Sequence, residues 1–260
     1  MAQALSGFLS VVVDPDRPRF LGPALADAIT GIYAAYGVLG ALFERTRTQR
    51  GRLVEVSMLE AMAHFAVEPF AAFFALNQVP KSSDRPRLAQ AYILRTADDG
   101  LIAIHLSSLE KFWRGLTDAL DSRALTADER FRTREGRIQH FEALGAELDA
   151  LFCRHDMAYW ADRLKRNDVP FAPINRIDQV VDDPQVKHLG LIVPVESAHE
   201  GRQAVRPAIR FDGEHADAVK TAPLLDEHGA QIREAISAAG GWPDAPAPEM
   251  TKKMTGTAPA

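Results

Sequence analysis

The sequence predicts a soluble protein of mixed helix and sheet, α/β or α+β, and three observations predict it. Apolar residues Leu25, Ile29, Ile32, Tyr36, Leu39 and Phe43 recur at three- and four-residue steps, as one face of a long helix would. Strand formers on either side of Asp98-Asp99-Gly100 spell a β-hairpin. Further helical patterns over 109–120, 137–154 and 158–167 alternate with short extended runs. At 260 residues the chain can bury a core as one large domain or as two modest ones.

Taken in order, residues 5–13 read as a short apolar strand or buried turn, closed by the breakers of 14–18. The long helix follows Gly22-Pro23 and contains Gly31, Gly37 and Gly40. Each glycine costs a helix interior about 1 kcal/mol, so three of them imply close approach of another backbone or a ligand. Gly51 reads as its stop. Residues 53–57 alternate like a half-buried strand. A second helix over 58–77 is apolar nearly all round, as a core helix is. The polar run 81–87 carries Pro86 and reads as a linker. The hairpin spans 91–106, and residues 169–174 form an extended piece. Asp183-Pro184 opens a helical turn, and 191–195 reads as a strand. From Ala238 the composition turns to Gly, Pro, Ala and Lys, so 240–260 is expected to be a disordered tail.

Several function classes lack support. A net charge of −5 argues against nucleic acid or an anionic membrane surface as partner. No stretch reaches the ~18 uninterrupted apolar residues of a membrane span. Residues 1–13 carry no basic leader, so no secretory signal is expected. The single cysteine, Cys153, is expected to be buried and inert in a reduced, cytoplasmic protein. The eight histidines form no H-x-x-x-H pair, which leaves no zinc pattern and an expected metal content of none. No P-loop, G-x-G-x-x-G or G-x-S-x-G occurs.

A series of segments then narrows the reading. Gln3-Ala4-Leu5-Ser6-Gly7 and the run from Gly22 through Ala26-Asp27-Ala28-Ile29-Thr30-Gly31 to Ala35 come first. Ala41-Leu42-Phe43-Glu44-Arg45, Gly51-Arg52-Leu53-Val54-Glu55-Val56-Ser57-Met58, the hairpin from Tyr92, and Val169-Pro170-Phe171-Ala172-Pro173-Ile174-Asn175 follow. Asp182-Asp183-Pro184, Pro207-Ala208-Ile209-Arg210-Phe211 and Pro223-Leu224-Leu225-Asp226-Glu227-His228 close the series. In that order they resemble family III CoA-transferases, which include formyl-CoA and carnitine CoA-transferases and α-methylacyl-CoA racemase.

The resemblance implies an α/β fold with part of a large domain over 1–84 and 190–239 and a small α/β domain over 85–189. It implies an interlocked dimer in the full-length family, and a CoA-binding N-terminal half that precedes the Gln3 segment. A homodimer, or a partner chain supplying that half, is therefore expected. Asp27 falls on the family's acyl-carrying aspartate. The implied reaction moves CoA between an acyl-CoA and a carboxylic acid through an aspartyl-CoA thioester, with the CoA thioester as substrate and no permanently bound cofactor. Asp27 also sits where helix N–H groups favour an anion, and a plain first-turn residue would occupy the same place. Gly31, Tyr92 and His105 are the expected substrate contacts. Ala91 replaces a usual proline before Tyr92, and Asp226 replaces a usual glycine. A racemase-type proton transfer or a non-catalytic subunit are the alternative readings.

Overall fold

The computed structural model describes residues 1–20, 22–107, 109–195, 202–215 and 222–238; the expected tail at 240–260 lies outside them. The chain divides into two units, Met1–Asn175 and Arg176–Ala260.

The first unit opens with helical turns, α1 (Ala2–Leu5) and a 3₁₀ turn (Phe8–Val11), in place of the predicted strand. Gly7 joins them at φ 79, a left-handed conformation that no strand continues through. Helix α2 (Leu25–Thr48) carries Asp27 in its first turn and Arg45 and Arg47 in its last, both favourable to the helix dipole. It ends at Gln49, whose left-handed backbone donates N–H to the Arg45 carbonyl at 2.8 Å; the stop comes before Gly51, correcting that assignment. With 24 residues α2 is long and apolar enough to cross a membrane, although Asp27 and Thr30 interrupt its apolar run. Length and composition alone do not separate a span from a helix that packs under protein.

The predicted helix over 58–77 is two, α3 (Met58–Phe65) and α4 (Val67–Leu76), bent by 64°. Pro69 explains the break, because its ring would meet the Phe65 carbonyl of a continuous helix and it has no N–H to donate. Ser57 caps α3 by accepting the Glu60 N–H at 3.2 Å. Residues 53–57 form no strand and pair with none, which corrects the strand prediction. The second helix was also expected to be core, yet no residue of α4 is buried. Helix α5 (Asp84–Ala89) occupies the predicted linker; Pro86 is tolerated there because a first-turn N–H has no helical acceptor.

The hairpin forms as predicted. Strand β1 (Ala91–Arg95) pairs antiparallel with β2 (Leu101–His105), Ala91 opposite His105 and Arg95 opposite Leu101. Five helices lie between β2 and the third strand: α6 (Leu109–Leu120), α7 (Arg123–Ala127), α8 (Arg134–Gln139), α9 (Phe141–Phe152) and α10 (Met157–Arg166). The predicted helix over 137–154 is thus split at His140, which leaves the helical region at φ −104, ψ 32. Asp156 caps α10 by accepting the Tyr159 N–H at 2.8 Å. Strand β3 (Phe171–Pro173) completes the antiparallel order β1-β2-β3.

Alternation along the hairpin turns Tyr92, Leu94, Ile102 and Ile104 inward against Trp113, Leu116, Phe131, Leu144, Leu148, Phe152, Trp160 and Leu164. One charge is sealed inside. Arg137 is fully buried, with Nε donating to Gln90 Oε1 at 3.3 Å, Nη1 to the Phe131 carbonyl at 3.0 Å and Nη2 to Glu110 Oε1 at 3.0 Å. Its guanidinium also lies 4.6 Å from the Trp113 ring. Cys153 is exposed, correcting the expectation of a buried thiol: it lies just past the end of α9, with Sγ 3.4 Å from the Arg95 carbonyl.

The second unit contains α11 (Ile177–Val180), α12 (Pro184–Leu189), β4 (Ile192–Pro194), β5 (Gln203–Val205), β6 (Arg210–Phe211), β7 (Glu214–His215) and α13 (Gly229–Ala238). Asp183 caps α12, accepting the Gln185 and Val186 N–H groups at 2.7 and 3.2 Å, with Pro184 at the first helical position, as the sequence predicts. The predicted strand at 191–195 appears as β4, paired with β5. Asp226 adopts φ 58, the left-handed backbone that glycine favours and aspartate tolerates, so the turn before Glu227 forms without glycine. Among the described residues, none beyond Val169 is buried.

Candidate active site

Asp27 is the third residue of α2, and its side chain faces solvent. Among the described residues it makes no hydrogen bond or ion pair, so its two oxygens are uncommitted within this chain. The unbonded N–H groups of the first helical turn favour a negative charge at this end. Gly31 lies four residues on, one turn along the same face. A Cβ there would meet nothing within 4 Å, and the same holds at Gly22 and Gly40. Of the three glycines in α2, only Gly37 answers a close approach, since a Cβ would stand 2.8 Å from Val54 Cγ1. The strip beside Asp27 is therefore open.

The opposite side of α2 is tied down. Ala26 and Ile29 are buried against Ala61 and Met62 of α3, with Ala2, Phe8, Leu25 and Tyr33 packed around them. The Tyr33 hydroxyl lies 2.5 Å from His64 Nδ1, and the two rings meet edge to face with centroids 5.5 Å apart. Gln3 is buried nearby on α1, and its Nε2 has no hydrogen-bond partner. These contacts fix the rotation of α2, and with it the direction of Asp27. Nothing in the spacing of Tyr33 and His64, which stand 31 residues apart, announces their pairing.

Tyr92 and His105 occupy another place. Both line an open groove of about 760 Å³, together with Ile93, Ala103, Phe141 and Glu142. The Tyr92 ring stacks on Phe141 with centroids 4.6 Å apart, and its hydroxyl is buried without a partner. Burial raises the phenol's pKa well above the usual tyrosine value; Arg137 opposes the rise and Glu142 adds to it. Neither Asp27 nor Gly31 lines this groove. The four predicted residues thus fall into two pairs, one on the open strip of α2 and one on the sheet.

The chain thus presents a long helix with an uncommitted aspartate in its first turn, followed by a core of mixed helix and sheet built on a hairpin. The chain belongs to CoA-transferase family III, whose family model matches residues 1–229. It is 27% identical over 237 residues to the succinate–glutarate CoA-transferase of Agrobacterium fabrum, covering 89% of this chain and 58% of that protein. It is 24% identical over 242 residues to the acetyl-CoA:oxalate CoA-transferase of Acetobacter aceti, covering 92% and 61%. A solved CaiB/BaiF family protein from Brucella suis superposes with a TM-score of 0.77 at 28% identity, covering 90% of this chain and 61% of that one. The fold is therefore the mixed helix-and-sheet fold of this family. The chain spans less than two thirds of the length of these relatives.

Proposed function

We propose that this chain carries the nucleophile-bearing portion of a CoA-transferase and that Asp27 is the nucleophile. The exposed, uncommitted Asp27 carboxylate at the N-terminus of α2, within the segment matched by the family model, carries this reading. The Asp27 carboxylate attacks the thioester carbonyl of an acyl-CoA, forming a mixed anhydride and expelling the CoA thiolate. The thiolate then attacks the Asp27 carbonyl, releasing the donor acid and leaving an aspartyl-CoA thioester. The acceptor carboxylate attacks that thioester, expels the thiolate and forms a new anhydride. Thiolate attack on the acceptor's carbonyl then releases the product acyl-CoA and restores Asp27. CoA thioesters enter as substrates, and no resident cofactor takes part in these steps.

The matched relatives are named for succinate, glutarate and oxalate, so short dicarboxylic acids are the proposed acid class. Gly31 leaves room beside the nucleophile for the substrate, and Tyr92 and His105 are proposed to meet it on the groove side. In this reading residues 1–84 and 190–239 are part of a large domain and 85–189 the small one. The remaining length of the relatives, supplied by a partner chain or within a dimer, covers the apolar faces of α2 to α4 and binds most of the CoA. The setting is the cytoplasm.

The test pairs this chain with a polypeptide that completes the family length, and supplies succinyl-CoA with glutarate or oxalate. Chromatography should show the new acyl-CoA from the completed assembly and little from this chain alone. An assembled but inactive pair, over a panel of dicarboxylates, would overturn the assignment.

A further inference from the structure

The start of α2 is held against α3 by a small apolar cluster and one polar pair. Ala26 and Ile29 of α2 meet Ala61 and Met62 of α3, with Ala2, Phe8 and Leu25 packed around them. Apolar burial is non-directional, so this cluster keeps the helices together and sets the rotation of α2 only weakly. Tyr33 supplies a directional contact. Its hydroxyl lies 2.5 Å from His64 Nδ1, and among the described residues this is the one side-chain hydrogen bond between α2 and α3. The edge-to-face rings add a second geometric constraint. A tyrosine hydroxyl both donates and accepts, so the bond forms with either tautomer of His64. His64 stands in the last turn of α3, whose first turn is anchored by the Ser57 cap.

Helix geometry carries this contact to the candidate nucleophile. Tyr33 projects about 120° around α2 from Asp27 and lies about 9 Å farther along it. Both stand on one short stretch of helix, so a rotation allowed at Tyr33 is passed to Asp27. Side chains end about 5–6 Å from a helix axis, and a turn of about 10° therefore moves the carboxylate by about 1 Å. Misplacing a reacting group by about 1 Å can cost about a hundredfold in rate. The exposed apolar face of Ile32, Tyr36, Leu39 and Phe43 begins beyond the first turn. The end that bears Asp27 is held within this chain, through Ala26, Ile29 and Tyr33.

We propose that Tyr33 and His64 are positioning residues for Asp27: their hydrogen bond sets the rotation of α2 that aims the carboxylate. This rests on the assignment of Asp27 as nucleophile. The pair acts through the helix and not by contact with the reacting atoms.

The test measures the rate at which succinyl-CoA and hydroxylamine label Asp27, in this chain assembled with a polypeptide that completes the family length. Tyr33→Phe and His64→Leu should each slow labelling at saturating succinyl-CoA by about tenfold to a hundredfold, with the half-saturating concentration within about twofold. The unfolding midpoint should change little. The double variant should be no slower than either single one, because both remove the same bond. His64→Asn keeps a hydrogen-bonding atom two bonds from Cβ, as Nδ1 is, and should recover most of the rate. Full-rate labelling in Tyr33→Phe, a double variant as slow as the product of the two singles, or His64→Asn as slow as His64→Leu would overturn the positioning role and leave Asp27 standing. No labelling of Asp27 in the unsubstituted assembly would overturn the nucleophile assignment, and the positioning role with it.

Discussion

The region between Tyr92 and Val169 and the region of α2 to α4 are both rich in apolar residues, yet they bury them very differently. The first closes a core of seventeen buried residues, including Phe131, Leu144, Leu148 and Phe152 at 0% exposure. In the second only Ala26, Ile29, Ala61 and Met62 form a buried cluster, while Ile32, Tyr36, Leu39 and Phe43 remain 66–76% exposed. Those four are the face that helical periodicity assigns to the interior. Burial contributes roughly 25 cal/mol per Å² of apolar surface, so leaving such a face wet forgoes several kcal/mol. One region carries its own core, and the other leaves an apolar face exposed that, in the function proposed above, a completing chain covers.

Substitutions should separate the two regions. Arg137→Ala leaves Gln90, the Phe131 carbonyl and Glu110 without their buried donor, and is expected to cost about 3–5 kcal/mol. Denaturant unfolding followed by tryptophan fluorescence reads it through Trp113 and Trp160, which lie in that core. Leu148→Ala should cost about 2–5 kcal/mol in the same assay. Tyr33→Phe, which removes the hydroxyl held by His64, should cost at most about 1 kcal/mol and loosen α2 against α3 in hydrogen exchange. Leu39→Ser with Phe74→Ser should change unfolding by less than about 0.5 kcal/mol. The same pair should reduce self-association in sedimentation and weaken assembly with a completing chain. A large loss of stability there would mean that the face is already covered.

The smallest effect concerns pH. The Thr96 hydroxyl, with the N–H groups of Asp98, Met157 and Gly100 behind it, holds the Asp98 carboxyl below the usual aspartate value. A carboxyl whose folded pKa is depressed adds stability that is fully present above its unfolded pKa. That stability is lost as pH falls through the folded value. Asp98→Asn should therefore lower the hairpin's stability modestly at neutral pH and flatten its acid limb, the two proteins converging at low pH, as thermal melts across pH can check.

Much of the first region was legible in the sequence because its signals are local. The Asp98-Asp99-Gly100 turn and the strand formers on either side of it act within a few residues, as Asp183-Pro184 does in the second unit. The second region misled where the outcome depends on what lies alongside. Residues 53–57 alternate like a strand but find no edge to pair with, and the apolar helix over 58–77 breaks at Pro69 and stays uncovered. Asp27 and Gly31 stood out through the family motif rather than through periodicity. Tyr33–His64 could not be read at all, because folding alone brings those side chains together.

The most direct measurement is chemical trapping at Asp27. The chain, assembled with a polypeptide that completes the family length, is incubated with succinyl-CoA and hydroxylamine and digested for mass spectrometry. The account predicts a hydroxamate on Asp27, absent in Asp27→Ala. Succinyl-CoA turnover with no adduct at Asp27, or turnover that survives Asp27→Ala, would contradict it.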